Sequence, residues 1–296
     1  MKTHPSNNRK LINIIKNFFS PLLPWQVQDA VFYYRSFGKL PSIKKPRTFS
    51  EKVLHRKHYA SKDIYTKLAD KFLVRDYVKE KIGDEYLIPL LFNSNNPAEL
   101  LSFPDWKNIV IKPNHGAGMV EIIDNIDISE ARKKEIVEKC KNWLKIDFSK
   151  AAREIHYRKI PKLILVEKKL GEGTLNDYKF HCFKTKNNEY KYVLQVVNDR
   201  FSETDSRGYY LNSLEDCVWS HGMGNHSIPT AEKPLLHKAV ELNSKLAQDF
   251  DYLRIDWYAH DGQLYFGELT FTPGAGLINE FGPELEKKMG DMWEVF

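Results

Sequence analysis

Leu253, Ile255 and Trp257 alternate with Arg254 and Asp256 near the end of this chain, and 264–270 alternates in the same way beyond Asp261-Gly262. Strict period two is a strand signature, and an Asp-Gly pair between two such runs marks a tight hairpin. The apolar residues face a core, which leaves Arg254 with Asp256, and Glu268 with Thr270, sharing polar faces. Two carboxylates from neighbouring strands in one cleft suit a hard cation such as Mg²⁺, which takes oxygen ligands and keeps waters and phosphate oxygens. An adjacent Arg254 can bind the phosphate that such a metal bridges. The plainer reading leaves Asp256 and Glu268 solvated, with Arg254 paired to one of them. Register separates the two. A regular two-residue turn pairs Asp256 with Gly267 and sends Glu268 to the opposite face. A shared metal therefore requires a three-residue loop or a β-bulge.

Elsewhere the pattern also alternates strands in hairpins with single helices, which indicates an α+β fold and not a doubly wound sheet. Helical periodicity covers 48–82, with Thr48 or Ser50 as cap and Phe72, Leu73, Val74, Tyr77 and Val78 on one side. It returns at 129–144, with Ala131, Val137, Cys140 and Leu144 as the expected buried stripe, and at 234–250. Strands are expected at 86–92, 108–112, 119–123, 162–166, 178–183 and 190–197.

A length of 296 residues allows about two domains. The longest uninterrupted apolar run, 87–92, is far short of the ~20 residues a membrane-spanning helix needs. The net charge of +6 is modest and suits a nucleotide, an acidic glycan or a membrane surface. Three scattered cysteines fit neither a disulfide framework nor a zinc spacing, so a reducing, cytoplasmic setting is expected, with no secretory leader. Residues 1–60 read as a helical, basic region. Leu11, Ile12, Ile14, Ile15, Phe18 and Phe19 form an apolar face there, which fits a helix docked on the core or one lying on a membrane surface through residues 9–25. Docking on the core is the preferred reading.

A second candidate segment joins Lys112 to His115-Gly116-Ala117-Gly118. Glycines let backbone N–H groups approach phosphate oxygens, and the lysine adds a point charge. No Gly-Lys-Ser/Thr follows and the G-x-G-x-x-G spacing is absent, so neither familiar phosphate loop applies. A third segment, Val166-Glu167-Lys168-Lys169-Leu170 with Asp177 and Lys179 beyond it, is a strand running into a glycine loop. It offers backbone to a purine, or else simply emerges into solvent. His55 and His58 read as a solvated helix face. The aromatic residues are scattered and form no stacking platform, and nucleic acid is not expected as a partner.

In order and spacing, five stretches resemble the ATP-grasp superfamily of carboxylate–amine ligases: PRTFSEK (46–52), YTKLADKFLVRDYVKEKIGDEYLIPLL (65–91), IKPNHGAG (111–118), DYKFHCF (177–183) and FGELTFTPGAG (266–276). The closest likeness is to the TupA-like branch, typified by the teichuronopeptide-synthesis protein of surface-polysaccharide loci. This resemblance implies two α+β lobes with antiparallel sheets that hold ATP between them, the small lobe in 61–170 and the catalytic lobe in 171–296. It implies that Lys71 and Lys112 contact phosphates beneath a flap at Gly116, Ala117 and Gly118. Glu167, Lys168 and Leu170 would line the adenine pocket, with Asp177 or Lys179 on the ribose and phosphate side. Asp256, Glu268 and Thr270 match the Mg²⁺ positions, and Arg254 matches the phosphate-stabilising arginine. Arg200, with the basic stretch 153–159, is the candidate for an acidic sugar, ordinary solvated charge being the alternative. Two departures stand out: Thr270 occupies a position where many members have Asn, and 1–60 is too short for the usual N-terminal domain.

The implied activity is ATP- and Mg²⁺-dependent amide formation through an acylphosphate. By resemblance the carboxylate is a uronic acid of a capsular or other surface polysaccharide, or its nucleotide-sugar or lipid-linked precursor, and the amine is an amino acid or other amino compound. A kinase-like phosphotransferase and a non-catalytic nucleotide-binding scaffold are the rival readings.

Overall fold

The computed structural model describes residues 23–124, 126–173, 175–198, 206–222, 226–294 and 296. The expected helix near residues 11–19 lies outside them, and so does Arg200. Among the described residues no helix is long and apolar enough to cross a membrane.

Four helices come first: α1 (Trp25–Phe37), α2 (Phe49–Tyr59), α3 (Asp63–Ala69) and α4 (Val74–Ile82). The start of α2 is fixed by Glu51, whose carboxylate accepts from the backbone N–H groups of Ser42, Arg47 and Thr48. The periodic run 48–82 is thus three helices, broken at 60–62 and 70–73. At the second break Asp70 Oδ1 accepts from the N–H groups of Phe72 and Leu73, 2.8 and 3.3 Å away. The histidines of α2 are not a solvated face. His58 Nε2 lies 2.7 Å from Asp29 Oδ2, which also binds Lys57 and Arg153, and His55 Nδ1 lies 2.8 Å from the carbonyl of Ile43. The acidic partner of His58 comes from α1, beyond the reach of any local spacing rule.

A four-stranded antiparallel sheet follows, built from β1 (Leu90–Ser94), β2 (Ile109–Pro113), β3 (Glu121–Ile123) and β4 (Ile164–Lys168) in the order β1-β4-β2-β3. Helix α5 (Glu130–Lys145) covers it, burying Ile136, Val137, Cys140 and Trp143 against Ile109, Ile111, Ile164 and Val166. Ala131 is exposed and Leu144 only half-buried, so the buried stripe is rotated from the expected one. Trp143 supplies more apolar area than Leu144 and takes the inward position. A short helix, α6 (Phe148–Ala152), leads back towards the centre.

The larger sheet has six antiparallel strands in the order β10-β9-β5-β6-β7-β8. They are β5 (Asp177–Lys184), β6 (Tyr190–Asn198), β7 (Ser206–Leu211), β8 (Cys217–Gly222), β9 (Tyr252–His260) and β10 (Gln263–Thr270). Period two divides each strand between two faces. Phe180, Leu194, Leu253, Ile255 and Trp257 pack beneath α7 (Lys233–Ala247) and α4. On the other face Phe183, Val193, Tyr209 and Tyr252 meet Phe49 and Val53 of α2 with Leu285, Met289 and Met292 of α8 (Gly282–Met292). The aromatic cluster fills only one end of that face. The polar residues of β5, β9 and β10 share its other end.

The chain between α4 and β1 ties the sheets to each other. Segment 86–90 spans both, since Tyr86 O accepts from Phe266 N at 2.7 Å and Pro89 O accepts from Lys168 N at 3.0 Å. Asn114, fully buried after β2, donates to Asp70 Oδ1 and Pro161 O, and its carbonyls accept from Leu163 and Lys71.

The α2–α8 contact contains a buried carboxyl, Glu286, which accepts from Ser50 N at 2.9 Å. Burial is the main cause that pushes its pKa from 4.5 up to about 7. A raised carboxyl pKa favours the unfolded state as pH climbs, so wild type loses stability from this group between about 4.5 and about 7. Glu286→Gln escapes that loss. Thermal melts from pH 5 to 8 are expected to show the variant's Tm rising relative to wild type, and a difference independent of pH counts against this assignment.

Candidate active site

Asp261 and Gly262 both have positive φ, 48° and 72°, so β9 and β10 are joined by a two-residue turn of the primed type. From Gln263↔His260 to Phe266↔Trp257 the pairing is regular. Continued, that register would place Gly267 opposite Asp256. A bulge intervenes between Phe266 and Glu268, after which Glu268 pairs with Asp256 and Thr270 with Arg254. The irregularity required for a shared cation is present. Gly267 suits it because an added Cβ would lie 3.1 Å from the carbonyl oxygen of Asp256.

Arg254 grips both carboxylates. Its Nε lies 2.7 Å from Asp256 Oδ1, and its Nη2 lies 2.8 Å from both Asp256 Oδ2 and Glu268 Oε1. Lys179 Nζ stands 2.9 Å from Asp256 Oδ2 and 3.1 Å from Asp177 Oδ2. Lys71 Nζ donates to Gly116 O at 2.6 Å and lies 3.7 Å from Glu268 Oε2. Thr270 Oγ1 donates to Glu268 Oε1 at 3.2 Å. One connected network therefore joins Gly116, Lys71, Glu268, Thr270, Arg254, Asp256, Lys179 and Asp177.

Asp256 is buried, not solvated, and Arg254 pairs with both acids. Burial alone would raise the pKa of Glu268, but Lys71 and Arg254 outweigh it and hold the carboxyl below its usual range. Burial likewise opposes charge on Arg254, yet Asp256 and Glu268 hold its pKa above the ordinary guanidinium value. Glu268 is thus held anionic, and with Asp256 and the Thr270 hydroxyl it forms an all-oxygen donor set. Among the described residues no cluster of three or more His, Cys, Asp or Glu could hold a metal. A two-carboxylate site fits Mg²⁺, whose remaining ligands are typically waters and phosphate oxygens.

A second network lies on the small sheet. Lys112 Nζ is 2.6 Å from Glu167 Oε2, and Arg75 Nη1 is 3.7 Å from Glu167 Oε1. Glu167 is buried, Leu170 is half-buried and Lys168 points to solvent. In the glycine loop Gly116 is buried, whereas Ala117 and Gly118 are exposed. Gly116 and Gly118 have φ of 80° and 76°, and a Cβ on Gly116 would strike Phe148 at 2.5 Å. Sequence reasoning missed two residues here. Arg75 reaches Glu167 from α4, a partner that spacing along the chain does not reveal. Tyr157 likewise carried no signal of its own. Burial raises its hydroxyl pKa well above the usual value, and the charges of Glu154 and Glu268 add to the shift.

The bulged acidic hairpin facing two lysines and a glycine loop across two antiparallel sheets defines an ATP-grasp protein. The chain matches the TupA-like ATP-grasp family over residues 51–294 and belongs to it. Its fold is the ATP-grasp fold, and ATP and Mg²⁺ are the cofactors of that class. Solved structures similar in fold include D-alanine–D-alanine ligase from Helicobacter pylori, with 16% identity, 76% of this chain and 61% of that one covered, and a TM-score of 0.46. N5-carboxyaminoimidazole synthetase from Staphylococcus aureus is 13% identical, with 70% of this chain and 44% of that one covered and a TM-score of 0.41. The chain thus spans about three fifths of the first and under half of the second. No curated protein sequence matches it.

Burial holds the Lys71 ammonium below the ordinary lysine pKa, with Glu268 partly offsetting that effect and Lys112 adding to it. Phosphate at Lys71 favours its charged form. ATP affinity is therefore expected to weaken as pH rises through that lowered pKa, and Lys71→Arg should flatten the dependence; calorimetry at several pH values checks this. Gly267→Val should cost about 1–3 kcal/mol by crowding Asp256. Deleting Gly267 instead leaves Glu268 next in line for Asp256. Mg²⁺–ATP binding should survive the deletion better than the valine, and the reverse order contradicts the bulge account.

Proposed function

We propose that this chain is an ATP- and Mg²⁺-dependent carboxylate–amine ligase acting through an acylphosphate. The observation that carries the reading is the placement of Glu268 opposite Asp256 with Arg254 across both. Asp256 and Glu268 would hold Mg²⁺, assisted by Thr270, and the ion's chemistry is to offset phosphate charge. Attack of a carboxylate on the γ-phosphate brings anion towards anion, which requires a concentration of positive charge. Lys71, Lys112 and Arg254 supply it from three sides. The loop at 116–118, tied to Lys71 through the Gly116 carbonyl, would cover the site, and excluding water there would protect an acylphosphate from hydrolysis. An amine then attacks the acyl carbon, forming the C–N bond as inorganic phosphate leaves.

For substrates we infer a uronic acid of a capsular or other surface polysaccharide, or its nucleotide-sugar or lipid-linked precursor, joined to an amino acid or amine. Membership of the TupA-like family supports this choice. The basic stretch 153–159 offers less free charge than its composition suggests, because Arg153 is bound to Asp29 and Arg158 lies over the Trp25 ring. The cytoplasm, or its membrane face through residues 9–25, is the inferred setting.

Hydroxylamine trapping tests the chemistry, since only an acylphosphate yields a hydroxamate. With D-glucuronate and ATP–Mg²⁺, wild type should form hydroxamate and release ADP. Asp256→Asn and Glu268→Gln should each lose about a hundredfold or more. A phosphorylated sugar without hydroxamate would favour a phosphotransferase, and ATP binding without turnover a scaffold.

A further inference from the structure

Cross-strand pairing lines up one row of side chains on the polar face of the larger sheet. Glu268 faces Asp256, Asp256 faces Lys179, Lys179 faces Gln195, and Gln195 faces Tyr209. Paired residues of an antiparallel ladder project to the same side. The row therefore runs without interruption from the two acids that would hold the metal to β7.

Above its far end sits Glu280, from the segment between β10 and α8. Its Oε2 accepts from Gln195 Nε2 at 3.0 Å and from Tyr209 OH at 3.4 Å. Its backbone carbonyl accepts from Trp219 Nε1 at 3.2 Å, which fixes the segment over the sheet. Both donors to the carboxylate are neutral and buried. No Lys, Arg or His among the described residues forms an ion pair with Glu280, and Oε1 has no partner there. The other acids of the cleft differ: Arg254 holds Asp256 and Glu268, Lys179 holds Asp177, and Lys112 holds Glu167. Glu280 is a half-buried carboxylate whose two direct donors are neutral, an arrangement that leaves Oε1 open to a mobile cation. His221 Nε2 lies 3.4 Å from the Tyr209 hydroxyl, and Arg207 stands two residues along the same strand face.

We propose that Glu280 binds the amino group of the amine co-substrate, with Gln195 and Tyr209 holding the carboxylate in place. This rests on the ligase reading above. The spacing agrees: Gln195 on β6 and Tyr209 on β7 lie two and three strands from β9, or roughly 10–15 Å along the row. That gap accommodates a phosphoryl group and an acyl carbon between the metal-binding acids and an amine at Glu280. Burial raises the Tyr209 phenol well above its usual pKa, so it remains a donor to the carboxylate at neutral pH.

The test compares wild type with Glu280→Gln in two reactions sharing D-glucuronate and ATP–Mg²⁺. One traps the acylphosphate with hydroxylamine, which is small and uncharged near neutral pH. The other forms the amide with a mixture of L-amino acids. In the variant the ratio of amide to hydroxamate should fall at least about tenfold, through KM for the amine. An unchanged ratio, or an equal fall in both products, overturns the assignment. A wild type that traps no hydroxamate indicts the ligase reading instead. The cation site is then read by saturation-transfer NMR with glycinamide against N-acetylglycinamide. Binding of glycinamide alone, lost in Glu280→Gln, supports the site. No binding to wild type, or equal binding to both proteins, rejects it.

Discussion

Arg254 lies between two carboxylates that the hairpin brings together, and the rest of the cleft is arranged around that contact. Buried like charges on adjacent strands repel unless a cation intervenes. Asp256 and Glu268 can face each other only because Arg254 reaches both, with Lys179 and Lys71 beside them. The same groups suit the empty and the filled site. Without ligand they neutralise the acids, and a metal held by those acids would free the guanidinium and ammonium donors for phosphate. In the two networks the cations Arg254, Lys179, Lys71, Lys112 and Arg75 face the acids Asp256, Glu268, Asp177 and Glu167. The balance tips slightly positive, as an anionic ligand requires.

One sheet face serves both as scaffold and as site. Phe49 meets the rings of Phe183, Tyr252 and Phe281 at 5.3–5.9 Å, closing one end of the face against α2 and α8. His181 marks the boundary. It is fully buried, bonded through Nδ1 to Tyr252 OH at 2.8 Å, and held neutral by burial and the neighbouring Arg254. The PRTFSEK stretch belongs to this scaffold, not to the chemistry. Glu51 ties down the chain before α2, Ser50 anchors Glu286, and Lys52 donates to Trp293 O at 2.6 Å.

Local patterns revealed the parts whose causes are local. Alternation around Asp261-Gly262 located the hairpin, and counting along it showed that a three-residue loop or a bulge had to exist if the two acids share a cation. Nothing in the sequence forced the bulge itself; Gly267 permits it and tertiary contact selects it. Strands β7 and β8 escaped notice because 206–222 lacks clean alternation and β8 is largely exposed. His58 was misread because Asp29 is distant in sequence, and His55 because its partner is the backbone carbonyl of Ile43. Arg75 and Glu280 act through partners on other strands or helices, and spacing along the chain cannot bring such pairs into view.

The path from Thr270 to Glu280 decides whether acids at one end of the row can work with a carboxylate at the other. A loose connection would leave Glu280 wandering, but this one is anchored throughout. Thr272 hydrogen-bonds the buried Glu154, and Lys57 Nζ donates to Ala275 O at 3.2 Å. Gly274, Ala275 and Gly276 all have positive φ, between 53° and 71°. At Gly276 an added Cβ would come within 2.8 Å of Ser50 O, so the turn sits directly on α2. Lys57 is in turn held by Asp29, 2.6 Å away, together with His58 and Arg153. This buried ionic cluster touches none of the phosphate-side residues. Its physical role is to give the turn after β10 a fixed seat, since breaking one partner would strand charge in the interior. Helices α1 and α2 thereby set the distance between the two ends of the row.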